Sequence, residues 1–327
     1  MIGQRDDELL AMKSLNLTQV AASFGYQLDR KKTSANSAFM RRSDDAVLIS
    51  RAMEGWFVFC SVHDPEQSGS VIDFVAHRLG AFTANGKIDL GRVRQHLRPW
   101  LGAHAPTVSP AAYVSDLKPL QRDLVSVRAR WTAMEPILDG QHSFLNQTRR
   151  ILPKILAHPR FADRIRNDRG NAAFVHHNRD GICSFSLKNT GYTGEAKGSI
   201  KGLWVSTIQP TDTALVMTEA PLDAMAYCQL FKLADTARFA SLSGQPSPAQ
   251  LELVRGVLEK LPAATEVILA TDNDPAGHRL ADRLAELYHE VGRSDLTLRV
   301  HAPELEGADW ADMLREGHAP NLSPPPP

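Results

Sequence analysis

Cysteine is scarce in this chain. There are three in 327 residues, Cys60, Cys183 and Cys228, each far from the others. That spacing excludes a disulfide framework and fits a reducing compartment. Long apolar runs are missing as well; none approaches the ~18 residues that a membrane span needs. No signal peptide is expected, because Arg5, Asp6, Asp7 and Glu8 interrupt the opening stretch. The expectation is a soluble, cytoplasmic protein with no membrane partner. Net charge is also absent, 37 Lys and Arg against 37 Asp and Glu, so bulk electrostatics do not announce a nucleic-acid binder. Several catalytic signatures are lacking. Lys197-Gly198-Ser199 does not have the Gly-Lys-Ser/Thr order of a P-loop, so no helicase motor is read. No G-x-G-x-x-G follows a strand, and the twelve histidines form no H-E-x-x-H.

What is present is unevenly spread. Arg149, Arg150, Lys154, Arg160, Arg164, Arg166 and Arg169 crowd one stretch against only Asp163 and Asp168, and Arg92, Arg94 and Arg98 make a second basic cluster. The notable acids lie in the C-terminal half. A basic face beside an acidic pocket suits a polyanion that also meets metal ions; solvated helix faces are the plainer alternative. The length suits two or three domains.

The first hundred residues read as a small α+β unit: a helix over 7–24 ended by Gly25, strands at 46–50 and 56–62, a helix over 71–79 ended by Gly80, and another near 90–101. Residues 103–120, with Pro106 and Pro110, read as a linker. Helices are expected over 121–140 and 143–165, broken at Pro136 and Pro153, then short strands at 172–176, 182–187 and 203–205. From there strand and helix alternate: 214–218, 221–232, 237–242, 247–261, 265–270, 275–290, 296–301 and 308–316. Such alternation argues a parallel, helix-covered sheet. The tail, 318–327, ends in four prolines and is expected to be disordered.

Two acidic strand ends stand out. Leu215-Val216-Met217-Thr218 runs into Glu219, and Val267-Ile268-Leu269-Ala270 runs through Thr271 into Asp272-Asn273-Asp274-Pro275-Ala276-Gly277. Open α/β sheets place their chemistry at the carboxyl ends of strands. Phosphoryl transfer needs charge neutralised on several oxygens, and divalent ions ~3.5–4 Å apart achieve this. Mg²⁺ takes hard oxygen ligands and keeps several waters, so a few carboxylates suffice. Glu219, Asp272 and Asp274 are the candidate catalytic residues; with Asp309, backed by Asp312, they are the candidate metal ligands for Mg²⁺ or Mn²⁺ in a two-metal site. Each has a plainer alternative: Asp274 as the cap before Pro275, Asp272 as a turn residue, Glu219 as a rim charge, Asp309 as the cap before Trp310. Asp223 sits inside its helix, as a cap or a brace. A calcium loop fails, with Ala276 and Arg283 where ligands belong.

Glu219-Ala-Pro-Leu-Asp223-Ala, Ser241-Leu-Ser-Gly244 and Asp272-Asn-Asp274-Pro-Ala-Gly277 resemble the Toprim domain, closest to its bacterial (DnaG-type) primase branch. Ala220 stands where that family has a glycine. Tyr192 to Trp204 is similar to the basic loop that leads into Toprim in primases, which implies nucleotide or template contact at Lys197 and Lys201. Residues 121–205, with Phe144-Leu145-Asn146 and Arg149-Arg150-Ile151, resemble the DUF3991 region that accompanies Toprim in proteins of plasmids and integrative elements. Trp56 to Cys60 and Ser68 to Val75 resemble the primase zinc-binding domain, yet only Cys60 and His63 have ligand-like spacing, so zinc is not expected. Basic Arg30-Lys31-Lys32 and Arg41-Arg42 beside its aromatics suit single-stranded DNA.

The resemblance implies this layout: 1–102 a degenerate zinc-ribbon-like domain, 103–120 a linker, 121–210 a DUF3991-like, primase-like α+β subdomain, and 211–317 a Toprim domain with a Rossmann-like parallel sheet flanked by helices. It implies a DNA primase-like, metal-dependent nucleotidyltransferase from a mobile element. Single-stranded DNA and nucleotides would be its partners, held in part by Lys197, Lys201, Arg149 and Arg150, with a separate helicase or a replication or conjugation protein alongside. A Toprim nuclease and a non-catalytic nucleic-acid-binding accessory are the alternatives. A topoisomerase is disfavoured, since no catalytic tyrosine stands out among five.

Overall fold

The computed structural model describes residues 2–53, 55–64, 67–102, 105–119, 121–244 and 246–317, without the side chains of residues 2–6. The expected tail at 318–327 lies outside the described residues. The chain divides into two units, Met1–Gln121 and Arg122–Pro327.

In the first unit, the single helix expected over 7–24 is two: α1 (Ile2–Lys13) and α2 (Leu17–Ser23). Asn16 makes the break. Its Oδ1 accepts from the Thr18 amide at 3.0 Å, capping α2, while its Nδ2 donates to the carbonyls of Val114 and Ser115. An N-cap side chain competes with continued helix, which a count of apolar spacing does not register. Among the described residues an antiparallel sheet follows in sequence order: β1 (Gln27–Leu28), β2 (Ser37–Arg42), β3 (Asp45–Arg51), β4 (Phe57–Ser61) and β5 (Ser68–Ser70). Then come α3 (Val71–Leu79), opened by a Ser70/Asp73 capping box, and α4 (Leu90–Leu101). Phe59, Phe74, Val75, Val93 and Leu97 are buried together. Residues 105–119, most of the expected linker, run along this unit: Leu117 is buried in the same core and Lys118 N–H donates to Ala35 O. The basic cluster here is largely occupied. Arg92 donates to the carbonyls that end α3, and Arg94 and Arg98 both pair with Glu8.

The second unit opens with α5 (Leu124–Ala133) and β6 (Glu135–Pro136). A single π turn at Phe144–Thr148 and the one-turn α6 (Pro153–Leu156) lead to β7 (Ile165–Asp168), β8 (Asn171–Asn178), β9 (Gly181–Asn189), β10 (Tyr192–Glu195) and β11 (Leu203–Val205). The helix expected over 121–140 forms as α5 ahead of the break at Pro136, whereas the one expected over 143–165 is reduced to the π turn and one-turn α6. Phe144, Leu145, Ile151, Ile155, Leu156 and Phe161 do enter one core, so the apolar pattern was sound. Asn146 replaces helical hydrogen bonding instead, donating to Gly140 O and Ile151 O and accepting from His142 N–H.

The alternating elements all form: β12 (Ala214–Thr218), α7 (Pro221–Phe231), β13 (Ala237–Ser241), α8 (Pro248–Glu259), β14 (Glu266–Leu269), α9 (Pro275–Val291), β15 (Thr297–Val300) and α10 (Trp310–Glu316). Strand order is β10-β9-β8-β11-β13-β12-β14-β15, with β7 also on β8 and β6 on β7. β13, β12, β14 and β15 are parallel, and β11 joins them to the antiparallel half. α7 and α10 cover one face with the 137–161 segment, and α8 and α9 cover the other. The chain leaves β12 toward β13 but leaves β14 toward β15. The switch point thus lies between β12 and β14, where such sheets open a crevice.

The basic stretch from Arg149 to Arg169 is not one solvated face. Arg160 is fully buried and donates to Ala234 O, Thr207 O and Gln209, with Asp212 Oδ1 at 2.6 Å. Arg166 donates to the Trp131, Thr132 and Met134 carbonyls at the end of α5. Arg160→Ala leaves the Asp212 charge, itself 6 % exposed, with Arg238 at 3.3 Å and the Gln209 N–H at 2.9 Å, and is expected to cost about 3–5 kcal/mol of stability. Chemical denaturation checks this; a loss within the range of a surface arginine would contradict it.

Candidate active site

Both acidic strand ends open into the crevice. Glu219 follows β12 and Asp272 follows β14, with Ala270 N–H bonded to Met217 O between them at 2.8 Å. The Asp272 amide points at Glu219 Oε1, 3.4 Å away. Gly277 permits this closeness: a Cβ there would meet Asp272 O at 2.1 Å and Glu219 Oε1 at 2.9 Å. Asp274 caps α9, its Oδ1 accepting from Gly277 N–H at 2.7 Å, with Pro275 at the first helical position. Asp309 caps α10 by accepting from Asp312 N–H at 2.5 Å. The plainer capping readings of Asp274 and Asp309 are thus realised, and the caps are also what fix these carboxylates at the crevice.

Asn273, which sequence reading passed over, and Asp223, expected as a cap or a brace, assemble the far wall. Asn273 exchanges backbone bonds with the 307–308 turn, and its Nδ2 donates to Pro303 O. It clamps the Asp-Asn-Asp turn to the loop that carries Asp309. Asp223, 4 % exposed, accepts from Ala311 N–H at 3.2 Å and so braces α10 from α7. Trp310 Nε1 donates to Ala270 O, tying α10 to β14.

The electrostatics are those of crowded carboxylates. Burial raises the Asp272 pKa well above the ordinary range, and Asp223, Glu219, Asp309 and Asp274 raise it further. Burial likewise raises Glu219, helped by Asp274 and Asp309. It raises Asp223, helped by Asp309, and it raises Asp309 itself. Three buried oxygens in this neighbourhood have no hydrogen-bond partner: Asp272 Oδ1, Thr271 Oγ1 and Ser241 Oγ. Buried polar atoms are rarely left so, and a hard cation with its waters satisfies such oxygens. Among the described residues no three His, Cys, Asp or Glu side chains form a ready-made metal cage; the donor set fits an ion that retains water.

A carboxyl with a raised folded-state pKa keeps its proton in the native state after the unfolded state has lost it. The unfolded state then binds fewer protons, so stability falls as pH rises from the ordinary carboxylate value of about 4 toward the folded value. In chelator, the melting temperature of wild type relative to Asp272→Asn is expected to fall steadily between about pH 5 and about pH 9. Parallel profiles for the two proteins would contradict the crowding.

Positive charge borders the acids. Arg149 Nη1 lies 3.9 Å from Asp312 Oδ1, and its guanidinium sits over the Phe144 ring. Gln229 on α7 sets this position by accepting from Leu152 N–H and donating to Arg150 O. A lone amide on a largely apolar helix was the available sequence signal. Arg150 is exposed. Lys188 on β9, not singled out from sequence, feels Glu195, Asp223 and Arg149. Lys197 and Lys201 are exposed on the stretch after β10, and Lys201 lines a cavity beside the crevice. In the other unit, Cys60 is exposed on β4.

A family model described as Toprim-like matches residues 216–314. It spans β12 to α10 and includes every crevice carboxylate. Residues 216–314 are a Toprim-like domain. Immediately before the Toprim domain, residues 143–212 match the protein of unknown function family DUF3991. None of the curated proteins matches the chain. Among solved structures, the primase fragment of the bacteriophage T7 primase-helicase protein is 15% identical with a TM-score of 0.35, over 52% of this chain and 69% of that one. A DNA primase domain from Pseudomonas aeruginosa is 15% identical with a TM-score of 0.31, over 46% and 48%. The RNA polymerase domain of Mycobacterium tuberculosis primase DnaG is 12% identical with a TM-score of 0.28, over 59% and 62%.

Proposed function

We propose that this Toprim protein is a primase-like, metal-dependent nucleotidyltransferase acting on single-stranded DNA, of mobile-element origin and working in the cytoplasm beside a helicase or a replication or conjugation protein. One observation carries the reading: the partnerless Asp272 oxygen, set among Glu219, Asp274 and Asp309 at the switch point of the Toprim sheet. The DUF3991 region ahead of Toprim supports it as well.

Asp272, Asp274, Glu219 and Asp309 would hold Mg²⁺ or Mn²⁺. When bound, the ions supply charge neutralisation on the phosphate oxygens. Glu219, its pKa raised by burial, suits accepting the proton of an attacking 3′-hydroxyl as that oxygen bonds to the α-phosphorus and pyrophosphate leaves. Arg149 and Lys188 would face the nucleotide's phosphates, and Lys197, Lys201 and Arg150 the strand beyond. Asn273, Gln229 and Asp223 touch no substrate in this reading; they position the groups that do.

The test is labelled-nucleotide incorporation on single-stranded DNA with Mg²⁺ or Mn²⁺. New products that require nucleotides and metal are expected. Shortened template without nucleotides would replace this reading with a nuclease, and no change in either channel would replace it with a binding role.

A further inference from the structure

Beside the crevice lies a second cavity of about 320 Å³, on the antiparallel half of the sheet. We propose that it is a sugar-hydroxyl site, and that Glu195 at its rim decides between ribose and 2′-deoxyribose in the substrate. The proposal rests on the reading that the carboxylate centre handles nucleotides.

The floor is polar, buried and neutral. His176 on β8 and Ser184 on β9 are 3 % and 1 % exposed. His176 Nε2 is 3.2 Å from both Ser186 Oγ and Ser243 Oγ. Burial holds the imidazole uncharged, with a pKa lowered to about 3. Gln250 closes the back wall, both amide hydrogens committed to the Gly202 and Leu242 carbonyls. The rim carries one charge of each sign, Glu195 and Lys201. Ser184 Oγ donates to Glu195 Oε2 at 3.2 Å, which fixes the carboxylate as an acceptor at the mouth.

Charge decides what such a pocket takes. A phosphate would meet the Glu195 carboxylate and an uncharged imidazole, and would gain only from Lys201. A base would find no Phe, Tyr or Trp among the lining residues, and the His176 ring is only 3 % exposed for stacking. A neutral group rich in hydroxyls fits, because hydroxyls both donate to a carboxylate and share hydrogen bonds with serine and neutral histidine. The cavity is also placed for a nucleotide whose phosphates lie in the crevice. Ser243, whose hydroxyl meets His176, donates its N–H to Glu219 O at 2.9 Å. One loop therefore serves both sites.

Enclosed sites built to hydrogen-bond a hydroxyl reject the analogue lacking it by ~10⁴–10⁵-fold; at an open rim about tenfold is the expected preference. Calorimetric titration with ATP and with 2′-deoxyATP in Mg²⁺ tests it. Wild type is expected to favour ATP about tenfold. Glu195→Gln, which keeps shape at an exposed position, should bring the two affinities within about twofold, and Ser184→Ala should fall between. Equal affinities in wild type, no binding of either, or a preference unmoved in both variants would overturn the site. Selective ATP binding with no incorporation would leave the pocket standing and sink the nucleotidyltransferase reading. Incorporation of both sugars at equal rates would do the reverse.

Discussion

Asp272→Asn is expected to lose nucleotide incorporation by at least about a thousandfold, roughly 4 kcal/mol of transition-state stabilisation, while melting no lower than wild type in metal-free buffer. The two effects have one cause. The Asp272 carboxyl is surrounded by Glu219, Asp223, Asp274 and Asp309, and one of its oxygens is buried without a partner. The neutral amide removes that repulsion and adds a donor facing acceptor oxygens. It also removes the anionic ligand on which the proposed ions would depend. Initial rates and thermal melting in chelator check both halves. A variant that is inactive because it unfolds would leave the role of Asp272 unsupported, and an active, stable variant would contradict it.

Gly277→Ala is expected to damage both fold and activity, although it adds one methyl group. That methyl would sit 2.1 Å from Asp272 O and 2.8 Å from its carbonyl carbon, and backbone cannot swing aside as a side chain does. Either the first turn of α9 moves back or the Asp-Asn-Asp turn moves out. Overpacking of this kind costs about 3 kcal/mol, and displacing reacting groups by about 1 Å costs about a hundredfold in rate. Gly256, inside α8, is the control. Its Cβ would meet Arg179 Nη2 at 3.8 Å, an ordinary contact, so Gly256→Ala should gain up to ~1 kcal/mol from helix propensity. Equal stability changes at the two positions would contradict the packing argument.

The C-terminal half was legible because its signals are local. β12 and β14 are short, largely buried apolar strands, each followed within three residues by an acid, and α9 begins at Pro275 and is capped by Gly292. The same locality explains what was missed. Residues 137–161 carry an apolar pattern that suits a helix, yet Asn146 satisfies the backbone from its side chain and the segment folds as turns around α7. β10 was hidden in a glycine-rich, basic stretch that only its pairing with β9 makes extended. Arg160 looked like part of a basic surface, because its partner Asp212 lies 52 residues away in sequence. Within the site, the acids announced themselves by type and position. Asn273, Gln229 and Lys188 did not, since their importance comes from long-range partners that spacing cannot show.

The most direct test of the carboxylate centre is Mn²⁺ binding followed by electron paramagnetic resonance at neutral pH, with proton release recorded in the same titration. Wild type should quench the free-ion signal at submillimolar protein and release protons as crowded carboxyls ionise, and Asp272→Asn should bind at least about tenfold more weakly with less release. Equal Mn²⁺ binding by the two proteins, or none by either, would contradict the account.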